Sequence, residues 1–147
     1  MKIYINAINS SKSEAIGYTK MASYQVHFKS LGFEGWARFV PFDENPEAYV
    51  HQCLEVEIGY ESITGLCVCE YQQQKVVPLA ERFSYHVCGE VRTVIQHSEP
   101  VGNRTIYVVA GDADFALDFA VIGNLKPIEG DMVEFDIHGL SLWDEML

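Results

Sequence analysis

Met132-Val-Glu-Phe-Asp-Ile-His138, followed by Gly139-Leu-Ser-Leu142, is the stretch that decides the fold. Val133, Phe135 and Ile137 alternate with Glu134, Asp136 and His138, the period of two that puts apolar side chains on one face of a half-buried strand. After Gly139 the apolar phase moves by one residue, to Leu140 and Leu142, as a β-bulge at the glycine would produce.

The same period recurs upstream. Ile3, Ile5 and Ala7 form a first strand, and Leu54, Val56 and Ile58 alternate with Glu55 and Glu57 in another. Leu66 to Glu70 is a short apolar strand. Tyr85, Val87, Gly89, Val91, Thr93 and Ile95 oppose His86, Cys88, Glu90, Arg92 and Val94. Thr105 to Ala110 is β-branched and aromatic, and Phe115, Leu117, Phe119 and Val121 oppose Asp114, Ala116, Asp118 and Ala120. Turn chemistry separates these runs at Pro100-Val-Gly-Asn103, Gly111-Asp112 and Lys126-Pro-Ile-Glu-Gly-Asp131. Helix signals are few: an N-cap with a first-turn proline at Asn45-Pro46-Glu47, and a short segment from Ser13 to Met21.

The expected fold is mostly β (α+β), a curved sheet or barrel with one or two short helices in a single compact domain, residues 1–147. The Gln72-to-Pro78 stretch is the best boundary between two related β-subdomains, 1–74 and 79–147. Two echoes support the relation: Ser23-Tyr-Gln-Val26 with Ser84-Tyr-His-Val87, and Leu54-Glu-Val-Glu-Ile58 with Met132 to Ile137. The order Cys88-Gly89-Glu90-Val91, a hairpin, then Glu129-Gly130-Asp131-Met132-Val133-Glu134-Phe135 leading to Gly139 resembles an OB-fold barrel over residues 83–147. The resemblance implies a curved first strand bent at its glycine. The helix usual between the third and fourth strands of that fold is not expected here.

At 147 residues, with 48% hydrophobic and 21% charged residues, the composition is that of a folded chain and excludes general disorder. The start lacks a signal-peptide pattern and no apolar run reaches membrane-span length, so a soluble cytoplasmic protein is expected. Cys53, Cys67, Cys69 and Cys88 then read as free thiols, with Cys67, Cys69 and Cys88 buried. Cys67-x-Cys69 and His86-x-Cys88 place ligand-type side chains on single strand faces. Neighbours at i and i+2 stand about 7 Å apart, too far for one tetrahedral zinc, so no metal and no cofactor are expected.

Charge is the functional signal. The net charge is −11, and residues 99–147 hold ten carboxylates against Arg104 and Lys126 alone. Such a field repels phosphate backbones and attracts cationic surfaces, which makes nucleic acid a poor partner and a basic protein a good one. Asp112, Asp114 and Asp118 share one strand parity, Glu134 and Asp136 another. Facing rows of carboxylates cost stability unless a cation offsets them. These five residues are therefore the expected partner-binding surface, although hard oxygens could also bind Ca²⁺ and strands are often acidic simply to stay soluble. The leading expectation is a non-catalytic acidic binding protein, an inhibitor or immunity-type protein that masks a basic nuclease or toxin. The alternative is a barrel binding a small molecule or single-stranded nucleic acid through Trp36, Phe39 and Tyr49, within an aromatic region that otherwise reads as core. The second alternative is an enzyme with dispersed residues. No nucleophile elbow, metalloprotease helix, phosphate loop or dinucleotide fingerprint is present.

Overall fold

A computed structural model gives the structure of the protein. It describes every residue except 18, 19, 71, 72, 99, 100 and 101, and of residues 10–13 only the backbone. Pro100 and Val101 of the expected turn, and Gln72 at the expected boundary, lie outside the described residues. Strands account for 60% of the chain and helix for 6%, the mostly-β class the alternation implies. In chain order they are β1 (Lys2–Ile16), β2 (Met21–Lys29), β3 (Glu34–Val40), a 3-10 turn (Pro46–Tyr49), β4 (Cys53–Gly59), β5 (Ser62–Cys69) and β6 (Lys75–Pro78). There follow β7 (Tyr85–Gln96), β8 (Arg104–Ala110), β9 (Ala113–Leu117), helix α1 (Phe119–Ile122), β10 (Met132–His138) and β11 (Ser141–Asp144).

The strands form two sheets. One is a closed barrel in the order β1-β2-β3-β11-β4, and the other runs β5-β10-β7-β8-β9 with β6 also on β7. In the barrel only β3 and β11 pair in parallel. A first-second-third-fifth-fourth closure with that parallel pair is the strand order of an OB-fold barrel. The resemblance was expected in residues 83–147; the closed barrel instead uses β1 to β4 plus the last strand of the chain.

The fifth strands are exchanged. β5, which follows β4, leaves the barrel to pair with β10, while β11, which follows β10, crosses to pair with β4. The register is reciprocal: Ser62 pairs with His138, and Ser141 pairs with Gly59. The echo between residues 54–58 and 132–137 falls on β4 and β10, each of which pairs with the strand that follows the other in the chain. The echo between residues 23–26 and 84–87 does not, since it matches β2 to β7. The second sheet stays open because β9 stops at Leu117, where the chain turns into α1 instead of extending beside β5.

Gly89 sets the curvature of β7. β6 pairs with β7 up to Cys88, and β8 takes over the same edge from Glu90. A Cβ at Gly89 would lie 2.6 Å from Val108 Cγ1 and 2.7 Å from the Val109 carbonyl, so β7 and β8 approach closely only because this residue has none. Side chains from both sheets meet in one core cluster, among them Ile3, Phe28, Phe39, Val87, Phe115, Phe135 and Leu142.

Several expectations are corrected. No helix spans Ser13 to Met21: β1 continues to Ile16 and β2 begins at Met21. Ala7 is exposed, because a register shift between Ile5 and Ala7 flips the strand and lets Ile8 pack on the core. Phe119 and Val121 belong to a helix rather than to a strand, so the second half does carry a helix between its third and fourth strands. Gly139 is not a bulge within a strand. It is the left-handed residue (φ +69°) at which the chain leaves one sheet for the other, and a Cβ there would strike Glu61 at 2.6 Å. The phase of β10 itself is as expected, with Val133, Phe135 and Ile137 buried.

Candidate functional site

The five carboxylates expected to form one surface do different local work. Asp112 sits in the β8–β9 turn, where its Oδ2 accepts from the Leu31 N–H at 3.4 Å. Asp114, outward on β9, is ion-paired with Arg92 on β7. Asp118 is not on the strand at all: it is the N-cap of α1 and accepts from the Val121 N–H at 3.3 Å. Glu134 and Asp136 point outward from β10, which is separated from β9 by β7 and β8. Elsewhere in the acidic segment, Asp131 accepts from the Ile128 N–H at 3.0 Å and buried Asp144 from the Met146 N–H at 3.0 Å. Much of the charge in this segment is thus tied to turns and caps.

Where the barrel meets the open sheet, three carboxylates do converge. A cleft of about 440 Å³ is lined by Glu57 of β4, Asp114 and Ala116 of β9, Tyr107 of β8, and Glu145 just past β11. The Tyr60 hydroxyl donates to the Ala116 carbonyl at 2.8 Å, which ties the β4–β5 hairpin to β9 at this junction. Burial, followed by the charge of Asp118, raises the Tyr60 pKa, so the hydroxyl stays protonated and keeps donating at neutral pH. Arg92 pairs with Asp114 at this cleft, and the Met1 ammonium, which also lines it, donates to the Val56 carbonyl at 2.9 Å and stands 3.8 Å from Glu55, so among the described residues neither cation forms a salt bridge with Glu57 or Glu145. Glu57 and Glu145 are 88 positions apart in sequence and meet only through the strand exchange. One signal for Glu57 was present: the echo with residues 132–137 aligns Glu55 and Glu57 with Glu134 and Asp136.

A second polar stripe runs across β5, β10 and β7. His86 donates from Nδ1 to Asp136 at 2.6 Å, and its Nε2 stands 3.5 Å from Glu134. The Cys67 thiol donates to Glu134 at 3.5 Å, and Cys69 and Cys88 meet sulfur to sulfur at 3.7 Å. Burial, then the adjoining Glu134, raises the Cys67 pKa; burial, then Cys69, pushes Cys88 up to about 11. Both effects favour the thiol over the nucleophilic thiolate. Cys67 is exposed rather than buried, Cys69 is intermediate and Cys88 is buried, and all four cysteines are free. Among the described residues no group of three or more His, Cys, Asp or Glu is placed to hold a metal ion.

The aromatic residues separate by role. Phe39 is fully buried and meets Tyr49 edge-on at 5.1 Å, so the two are packing partners in the barrel. Trp36, 39% exposed, faces away from them into a different cleft beside the segment 79–84. Trp36, Phe39 and Tyr49 therefore do not line a common pocket. Of the remaining aromatics of this region Phe28 and Phe33 are core, buried edge to face at 5.3 Å, whereas Tyr24 is half-buried and Phe42 is exposed.

Comparison of the chain with protein-family models, curated proteins and solved structures finds no match. Among the described residues no helix is long and apolar enough to cross a membrane.

Proposed function

We propose that this is a non-catalytic acidic protein that binds and masks a basic protein, as an inhibitor or immunity-type protein does for a nuclease or toxin. The observation that carries the reading is the junction cleft, where Glu57, Asp114 and Glu145 converge from both sheets and, among the described residues, only Asp114 of the three is ion-paired, to Arg92. A lysine or arginine of the partner entering this cleft would exchange water for carboxylates carried on strands or at a strand end, so little backbone ordering is needed on binding. The chain's net charge of −11 adds long-range steering, which raises the association rate with a cationic surface and lowers it with nucleic acid. A cationic nuclease surface that normally grips phosphate would meet carboxylates in its place. The thiols support the non-catalytic part, since Cys67 donates to a carboxylate and not to an imidazole that could activate it.

Affinity capture from the native host tests this. Wild-type bait at low salt should retain a basic protein that elutes as salt rises, and a Glu57→Gln/Asp114→Asn/Glu145→Gln bait should lose it. Equal retention by both baits would move the interface elsewhere.

A further inference from the structure

The cleft beside Trp36 has a volume of about 540 Å³ and lies between β3 and the segment leading into β7. Its wall is built rather than incidental. The Tyr85 hydroxyl donates to the Trp36 carbonyl at 2.6 Å, an approach that requires Gly35, where any Cβ would overlap that hydroxyl. Backbone bonds fix the facing segment: Leu79 N–H to the Ser84 carbonyl at 2.9 Å, and Leu140 N–H to the Phe83 carbonyl at 2.9 Å. Phe83 holds a left-handed backbone (φ +64°), costly for an aromatic residue and sustained here by that framework.

Arg82 extends over this wall. Its guanidinium lies 5.5 Å from the Trp36 ring centre and 5.2 Å from that of Phe83. In a chain with 21 carboxylates, it has no ion-pair or hydrogen-bond partner among the described residues, so its planar fork of N–H groups remains unused. His27 meets Trp36 edge-on at 5.4 Å. The Asn6 amide donates to His27 Nδ1 at 3.0 Å, which leaves Nε2 as the donor of the neutral ring. His27, Arg82 and the partly exposed Trp36 indole thus line one cleft. Glu34 and Glu81, which also line it, disfavour a doubly charged group such as phosphate.

We propose that this cleft binds a flat aromatic ring carrying one carboxylate, with the ring against Trp36 and the carboxylate on the Arg82 fork. A guanidinium held over aromatic rings has fewer orientations to lose in bidentate carboxylate recognition, and the aromatic wall offers a planar ring a surface to pack on. This site is independent of the acidic junction cleft.

The test is calorimetric titration of the full chain with indole-3-carboxylate and with its uncharged amide. The acid should bind about tenfold more tightly than the amide, the margin of a charge-assisted pair over a neutral one. Arg82→Gln should remove that preference, and Trp36→Leu should weaken both compounds; Arg82 is exposed, so circular-dichroism melts of its variant should match wild type. Absence of binding at millimolar concentration, equal affinity for acid and amide, or a preference that survives Arg82→Gln would each overturn the proposal.

Discussion

Replacing Gly89 with alanine should be among the most damaging single changes to this protein, although it adds only one methyl group. The new Cβ would lie 2.6 Å from Val108 Cγ1 and 2.7 Å from the Val109 carbonyl oxygen, roughly 1 Å inside ordinary contact. Val108 is fully buried, so its side chain has no room to rotate away. Val109 pairs with Glu90, so relief by separating the strands would break the ladder at the last residues of β8. Overpacking of this kind costs about 1–3 kcal/mol, and a weakened ladder adds about 1 kcal/mol per bond. The expected loss is about 3–4 kcal/mol, a fall in Tm of about 6–16 °C for a chain of this size. Gly65→Ala is the control: its φ is also positive, at +70°, but a Cβ there meets nothing within 4 Å, so only backbone strain of about 1–2 kcal/mol applies. Urea melts followed by circular dichroism measure both. If Gly89→Ala proved no worse than Gly65→Ala, the close approach of β7 and β8 would be wrong, and with it the account of how β7 bends.

Phe135→Ala should cost about 3–5 kcal/mol in the same melts, since the ring is buried against Phe115 at 5.8 Å, while Glu134→Ala on the opposite face should cost under about 1 kcal/mol. Equal effects would mean the phase of β10 is inverted. Asp118→Ala should remove the N-cap of α1 at a cost of about 1 kcal/mol, and Asp118→Asn should restore most of it, as denaturant midpoints would record. Cys88 should resist thiol reagents in the folded state and react on unfolding. Its pKa is raised by folding from 9.0 to about 11, so its contribution to stability is complete below pH 9 and is lost as pH rises through that interval. Cys88→Val should flatten this part of the stability profile, and an unchanged slope would contradict the assignment.

Period-two alternation made most of the fold legible, because each strand buries one face and the sequence records which. It placed β4, β7, β8 and β10 correctly, and the Asn45-Pro46-Glu47 signal located the 3-10 turn. Its failures have local causes. Asp118-Phe-Ala-Val reads as a continued strand by alternation, whereas the aspartate caps the main chain and turns it into a helix. At Asn6 a register shift reverses the phase within one strand, so Ala7 and Ile8 exchange their expected faces. The strand exchange was hidden because it depends on which sheet β5 and β11 join, a choice made by long-range pairing and not by local pattern. The candidate cleft was partly hidden for the same reason: Asp114 stood out in an acidic segment, but Glu57 and Glu145 acquire meaning only once β4 and the end of β11 lie side by side.

The central claim is that the carboxylates of the junction cleft engage a cationic partner. Its most direct test is the association rate with the captured basic protein, followed by stopped-flow across a range of ionic strength for wild type and for Glu57→Gln/Asp114→Asn/Glu145→Gln. Steering by these groups predicts that the variant associates about tenfold or more slowly at low salt, with a shallower salt dependence and an unchanged fold. Identical rates and identical salt slopes for the two proteins would contradict it.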